Sequence, residues 1–466
     1  MAIFVIVVAI VWLGLMLYEH GKPLPKGLSL EGLSRAVPKV EFLTDLTYQR
    51  DGQPVHEQAI YNRMCRIIDD ADRFVLLDLF LFNSVHGQGA KFPALSDEMA
   101  RRLVEKRQRS PQVDIVLITD AINRSYGQDE PAHFRRLRAS GVRIIYTDTC
   151  RLRDSNFIYS AWWRLCCQWF GTQGTGWLPS PFAPNGPAMT MRGYLNLLNF
   201  KANHRKVVAS EKEALITSAN PHDASGYHSN IAFVAQGAVV QDVVDAEAAV
   251  AALSGDTLPR WEIAIPPESG QVHLRLLTEG KIKTRLLITL AQCESGCSVR
   301  MAMFYLSDRE VVAALLAAAA RGAEVQLLLD PNKDAFGRRK NGIPNRPVAH
   351  ELVEKSQGRI QVRWYGTHGE QFHPKLVMIS LPGQTVLIGG SANLTRRNLD
   401  DLNLEASLEV TAPASSQVVR EATGYFERIW QNEDGLYSLD YKEFAEKSPF
   451  QYGLYRFQEW SGMSTF

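Results

Sequence analysis

The hydrophobic pattern of this chain opens on one unbroken apolar run, Ala2 to Tyr18, that contains no charge. That length is near the lower limit for a helix crossing the hydrocarbon core of a bilayer, so residues 1–20 are expected to form a transmembrane anchor. The next stretch, 21–39, is rich in proline and glycine and reads as a tether. From Val40 onward the pattern changes to short apolar runs alternating with amphipathic ones. It predicts helix over 57–70, strand over 74–82, helix over 97–108, strand over 113–119, helix over 132–140 and strand over 142–146. Strands alternating with helices indicate an α/β architecture.

The same order returns later. Helix is predicted over 284–293, strand over 298–306, helix over 310–321, strand over 324–330, helix over 348–355 and strand over 360–364. Leu79-Phe80-Leu81-Phe82 matches Met303-Phe304-Tyr305-Leu306 in position within each set. The chain thus carries an internal duplication. It is expected to fold as two tandem α/β units, residues 40–260 and 270–466, related by a pseudo-two-fold axis with one site at their interface. The join, 254–271, is polar and holds three prolines. Only the first half has an insertion, near 150–200, and that insertion is rich in aromatic residues. Trp162, Trp163 and Trp169, with basic residues nearby, suit the headgroup level of a bilayer, where Trp and Tyr are favoured.

Charge and cysteine content narrow the partners. Lys and Arg total 51 against 50 Asp and Glu, so the basic footprint of a dedicated nucleic-acid binder is missing. Six cysteines in 466 residues form no zinc-type pair set and are too sparse for a disulfide scaffold. No basic residue precedes the apolar run and no small-x-small cleavage site follows it, so an uncleaved anchor is favoured over a signal peptide. Lys22, Lys26 and Arg35 all follow the span, which places the body on the cytoplasmic side.

The candidate chemistry comes in duplicate. Asn203-His204-Arg205-Lys206 and Phe372-His373-Pro374-Lys375 each read His-x-Lys ahead of an apolar run, so each His and its Lys share one face of a strand. Each motif is followed by Ser-Ala-Asn, at Ser218 to Asn220 and at Ser391 to Asn393. Attack on a phosphodiester needs a nucleophile, an acid for the leaving oxygen, and cations around the nonbridging oxygens. Two imidazoles divide the first two roles, because one can be neutral and the other protonated near pH 7. Lys206 and Lys375 then hold phosphate oxygens, with Ser218, Asn220, Ser391 and Asn393 as neutral donors. The arrangement calls for no metal or cofactor.

These paired motifs resemble those of the phospholipase D superfamily, His-x-Lys-x4-Asp followed by Gly-Ser-x-Asn or a close variant. The resemblance runs from Val40 to about Trp430. It is strongest to bacterial cardiolipin synthase-like members, through Asn203-His204-Arg205-Lys206 and Gly390-Ser391-Ala392-Asn393-Leu394-Thr395-Arg396-Arg397. It implies a histidine nucleophile and a histidine acid at His204 and His373, phosphate-binding lysines at Lys206 and Lys375, and polar site residues at Ser218, Asn220, Ser391 and Asn393. Two positions depart from the pattern: Glu211 and Ser380 stand where the family has Asp. The carboxylate that follows the second motif is matched by Glu405, while the corresponding stretch Ser229-Asn230-Ile231-Ala232 has none. By resemblance Glu405 supports His204, which makes His204 the nucleophile and His373 the acid.

The resulting expectation is a membrane-anchored enzyme that hydrolyses or transfers phosphatidyl groups, with membrane phospholipids and a water or alcohol acceptor as partners. A tethered nuclease using the same site is the alternative, and a silent scaffold a third. The loop from Asp330 to Pro347, with Lys333 and Arg346, follows a strand end and is a candidate substrate contact.

Overall fold

The computed structural model describes residues 1–87, 91–127, 130–183, 186–264, 267–335 and 338–466. The first apolar run forms α1 (Ala2–Gly21), none of whose residues is buried by the rest of the chain. The segment expected as a tether is instead bound to the fold. It contains β1 (Arg35–Val37), and before that Gly32 N donates to Leu276 O and Leu30 N to the Thr278 hydroxyl. Both partners lie in the second half, where an open sheet edge offers unpaired backbone groups.

The first unit then runs β2 (Val40–Arg50), β3 (Gln53–Glu57), α2 (Ile60–Asp70), β4 (Phe74–Leu79), α3 (Leu95–Arg109), β5 (Asp114–Thr119), α4 (Ala132–Ala139) and β6 (Arg143–Tyr146). The insertion follows, with α5 (Phe157–Cys166) and α6 (Met191–Leu197), and the unit closes with β7 (Lys206–Ser210), β8 (Glu213–Thr217), β9 (Asn230–Gln236) and α7 (Val239–Leu253). The second unit comprises β10 (Val272–Thr278), α8 (Gly280–Ala291), β11 (Ser298–Met303), α9 (Arg309–Ala320), β12 (Glu324–Leu329), the short pair β13 (Asp334–Ala335) and β14 (Arg338–Arg339), and α10 (Asn345–Lys355). It ends with β15 (Ile360–Tyr365), β16 (Lys375–Leu381), β17 (Gln384–Gly390), α11 (Arg396–Leu399), β18 (Ala406–Ala412), α12 (Gln417–Gln431), β19 (Ser438–Asp440) and α13 (Pro449–Ser461).

Strand order shows the kinship of the halves. The first sheet runs β3-β2-β9-β8-β7-β4-β5-β6 and the second β1-β10-β18-β17-β16-β11-β12-β15-β19. From β2 to β6 and from β10 to β15 the two orders correspond strand for strand. In both, three strands are parallel and joined by helices, and the motif hairpin adds to them antiparallel. Both faces of each sheet are buried. Along β4, Phe74 and Leu76 enter a core shared by the two units, while Val75, Leu77 and Leu79 pack under the outer helices, as the period of two requires. The shared core is tight at Gly389, where a Cβ would come within 2.9 Å of the Phe233 ring. The two sheets therefore meet face to face, and the strands carrying the motifs lie at that meeting.

Candidate active site

Two short parallel bridges tie the units together where the histidines sit. Asn203 pairs with Leu404, and Ser229 with Phe372. His204 N donates to Leu404 O at 2.9 Å, and His373 N donates to Ser229 O at 2.9 Å. Each histidine backbone is thus held by the opposite unit, and the residue after each acceptor, Glu405 or Asn230, is delivered to that histidine's ring.

The two deliveries are chemically unequal. Nδ1 of His204 donates to the Glu405 carboxylate, 2.9 Å from Oε1 and 3.1 Å from Oε2. Nδ1 of His373 donates to the side-chain oxygen of Asn230 at 3.1 Å. Because carboxylate and amide oxygens only accept, both rings hold a proton on Nδ1 and leave Nε2 for reaction. Asn230 is fixed in turn by the Ser218 hydroxyl at 3.0 Å and by its own donation to His228 O at 3.1 Å. Glu405 accepts from the Ser391 hydroxyl and from Asn398, and its backbone N–H donates to Glu279 at 3.1 Å.

Other pairs repeat across the pseudo-axis. Phe80 stands edge-on to His204 and Phe304 is tilted against His373, both at 4.8 Å between centroids. Lys206 Nζ lies 5.1 Å from the Phe80 ring centre and Lys375 Nζ 5.0 Å from that of Phe304. Each ammonium donates to the carbonyl of its own histidine, at 2.7 and 2.8 Å. Asp120 and Asp330, the residues just past β5 and β12, accept at 2.8 Å from the backbone N–H of Asn203 and Phe372. Each acid therefore fixes the residue directly before a histidine.

Burial and like charge govern the titration of this cluster. Burial, reinforced by Lys206 and opposed by Glu405, pushes His204 down to about 4. Burial and the neighbouring Lys375 and His228 hold His373 well below the ordinary imidazole range. Lys206 falls to about 7 through burial, and Lys375 well below its usual value through burial and Lys206. Burial alone would raise Glu405, but His204 and Lys206 outweigh it and keep the carboxyl below its usual value. A cavity so crowded with cations and donors is built for an anion, whose arrival relieves each of those shifts.

The cavity itself measures about 720 Å³ and is lined by residues of both units, including His204, Asn220, His373 and Asn393. Its walls carry the cations Arg124, Lys340 and Arg397 and, from the insertion, the apolar side chains of Phe182, Leu197 and Phe200.

A family described as "Cardiolipin synthase, PLD-like domain" matches residues 286–430. The crystal structure of phosphatidylserine synthase from Haemophilus influenzae Rd KW20 superposes over 98% of this chain and 98% of its own, with a TM-score of 0.59 at 11% identity. Residues 286–430 thus match a PLD-like domain, and the chain as a whole shares the fold of that synthase. Polyphosphate kinase from Porphyromonas gingivalis is a more distant likeness, with 16% identity, 91% of this chain and 56% of the other covered, and a TM-score of 0.45. Among curated proteins none matches.

The structure redistributes several expected roles. Ser218 and Ser391 are fully buried and support Asn230 and Glu405 rather than facing substrate. Lys333 and Arg346 do not line the cleft. They flank the Phe444 ring, at 6.0 and 4.7 Å, and Arg346 Nε donates to Pro331 O; Lys340, farther along the same loop, reaches the cavity instead. Trp163, expected at the headgroup level, is buried on the inward face of α5, whereas Trp162 and Trp169 are exposed. His222 bonds the Ser225 hydroxyl and Val85 O, both at 2.9 Å. Among the described residues no group of His, Cys, Asp and Glu is placed to hold a metal ion.

The departures from the superfamily motif are structural. Glu211 accepts from the backbone N–H groups of Asp72, Arg73 and Phe74, tying the motif hairpin to the start of β4. Ser380 meets Thr385 across its hairpin at 3.4 Å. Sequence reasoning missed Asn230, Asp120, Phe80 and Phe304 as site residues, and placed Asp330 only in a loop expected to contact substrate. A signal existed for four of them, since each half repeats an apolar strand ending in Asp and a Phe just after the strand before it.

Proposed function

We propose that this protein transfers phosphatidyl groups of membrane phospholipids to water or an alcohol through a phosphohistidine at His204. The observation that carries this reading is the inequality of the two imidazoles. A carboxylate behind His204 stabilises the cationic ring that forms when its Nε2 lone pair attacks phosphorus. Asn230 offers His373 no such charge, which leaves that ring free to give up its proton. As the His204 N–P bond forms, the P–O bond to the headgroup breaks, and His373 Nε2 passes its proton to the departing oxygen. His373 carries that proton once the bound phosphate offsets the fields of Lys206 and Lys375. In the second half, His373 Nε2 takes the proton of the acceptor hydroxyl, whose oxygen attacks phosphorus while the N–P bond breaks. Both histidines then return to their starting states. Lys206 and Lys375 balance the phosphoryl oxygens throughout.

The apolar insertion side chains in the cleft suit a lipid substrate, and α1 is long and apolar enough to cross a bilayer, with a mean hydropathy of 2.4. α1 is read here as the anchor. The test is incubation of the full-length enzyme with phosphatidylglycerol and a primary alcohol, with single-stranded nucleic acid in parallel. Headgroup-exchanged lipid is expected, lost almost entirely in His204→Ala and His373→Ala. Cardiolipin from phosphatidylglycerol alone would mark a synthase. Cleavage of nucleic acid with no lipid product would reject the lipid reading.

A further inference from the structure

The last helix turns three large aromatic side chains outward. On its inward face α13 places Tyr455 and Glu459, both buried, while Tyr452 and Leu454 pack against the core of the second unit. Glu459 accepts from the Ser307 hydroxyl at 2.7 Å and from Arg396 N at 3.0 Å, while Tyr455 donates to Ser307 O at 3.0 Å and accepts from Arg309 at 2.9 Å. The outward face carries Phe450, Phe457 and Trp460, with Met463 just beyond, and all four are exposed. Spacings of seven and three put the three aromatics on one stripe. Exposed Lys447 and Arg456 flank it.

That stripe begins where α1 leaves the body. Trp460 stands edge-on to Phe157 at 5.7 Å between centroids, and Phe157 packs on His20, in the last turn of α1, at 5.1 Å. His20 Nδ1 also bonds Asp154 O at 2.9 Å, Asp154 N donates to Glu19 O at 3.0 Å, and Arg164 of α5 reaches Glu19 at 2.8 Å. On the other side, the turn after α13 lies against the Ser155 backbone, so close that a Cβ on Gly462 could not fit. The foot of α1, the start of α5 and the end of α13 thus form one contiguous block.

We infer that α13 is a second membrane-contact element, lying on the bilayer surface beside the foot of α1 with Phe450, Phe457 and Trp460 set into the headgroup boundary. The occupant is lipid, because the exposed stripe continues outward from the foot of α1, which is apolar on every side from Ala2 to Tyr18. Aromatic side chains beside cationic ones are the composition favoured at that depth. Two attachments, one spanning and one lateral, would fix the tilt of the body against the membrane, which a single helix does not. The inference rests on α1 being an anchor, and its test separates the two claims.

Full-length protein carrying a photo-reactive benzophenone side chain in place of Phe457 or Trp460 is reconstituted in vesicles of phosphatidylethanolamine and phosphatidylglycerol. The same group at Leu13 of α1 serves as the anchor reference, and at Ile288 and Leu436, both exposed and apolar, as background. Lipid adducts at 457 and 460 are expected at about tenfold over background, comparable to Leu13. Adducts at Leu13 with background levels at 457 and 460 overturn the inference and leave the anchor intact. Background levels at all three sites overturn both. Cross-links from 457 or 460 to a second copy of the chain, without lipid adducts, show that the stripe is a dimer surface instead.

Discussion

At the scale of single residues, the site is a set of paired positions whose partners differ. His204 has a carboxylate and His373 an amide behind it, and this one difference gives direction to an otherwise symmetric arrangement. The same burial that sharpens it makes the lysines sensitive to pH. In the proposed mechanism Lys206 holds phosphate as a charged ammonium, and burial lowers it to about 7. Its charge is therefore complete well below neutrality and is lost as pH rises through that value. For the free enzyme, kcat/KM is expected to fall as pH rises past about 7, since that parameter reports groups of the unbound site. The fall in kcat should sit at higher pH, because bound phosphate favours the charged ammonium. A kcat/KM profile that stays level from about pH 6 to pH 9 would show that Lys206 keeps its charge in the empty site.

At the scale of elements, the motif hairpins and the insertion show which sequence features are chemical and which structural. Glu211 occupies a motif position but lies at the far end of β7 from Lys206, where it satisfies three backbone donors. Glu211→Ala should lower stability by about 0.5–1.5 kcal/mol, the net worth of a hydrogen bond whose donors water can reach, with activity per folded molecule retained. The insertion divides in the same way. Trp163→Ala should destabilise by about 3–5 kcal/mol through the cavity it leaves, while Trp169→Ala, on an exposed side chain, should leave the melting temperature unchanged. Thermal melts of the three variants beside their specific activities check all of this. Equal melting temperatures for the two tryptophan variants would contradict the burial of Trp163.

At the scale of the whole molecule, the two units are joined through charges as well as through the shared core. Arg205 is fully buried, with Glu247 of its own unit at 3.2 Å and Glu279 of the other at 2.6 Å. The same Glu279 oxygen receives the backbone N–H of Glu405, and its second oxygen receives that of Ser29. One guanidinium thus connects the first motif, the carboxylate that supports His204, and the segment leading from α1. Arg205→Met should cost about 3–5 kcal/mol, because two acids are left buried without their counterion. Pairing it with Glu279→Gln should restore part of that stability. It should not restore full turnover, since Glu405 would still be held less firmly. Chemical denaturation of the single and double variants measures the first effect and single-turnover rates the second.

Much of this was legible in the chain. The alternation of apolar runs fixes the strands and helices, because a two-residue period and a 3.6-residue period leave different marks. The predicted cores of the parallel strands agree with β4, β5, β6, β11, β12 and β15 to within a few residues. His204, Lys206, His373 and Lys375 stand out as candidates because His-x-Lys occurs twice, each time ahead of Ser-Ala-Asn, whereas Glu405 came only from the family resemblance. The tertiary structure alone decided which distant residues meet. Asn230 behind His373, Asp120 and Asp330 under the motif backbones, and the pairing of residues 30–37 with the second sheet are contacts between residues distant in sequence. No local period or propensity encodes them. Burial divided the rest: Trp162 and Trp163 are neighbours in one aromatic run, yet only the fold shows that helical geometry turns one outward and the other into the core. The outward turn of the α13 aromatics was hidden for the same reason, because an aromatic stripe reads as core until the opposite face is seen to be the one that packs.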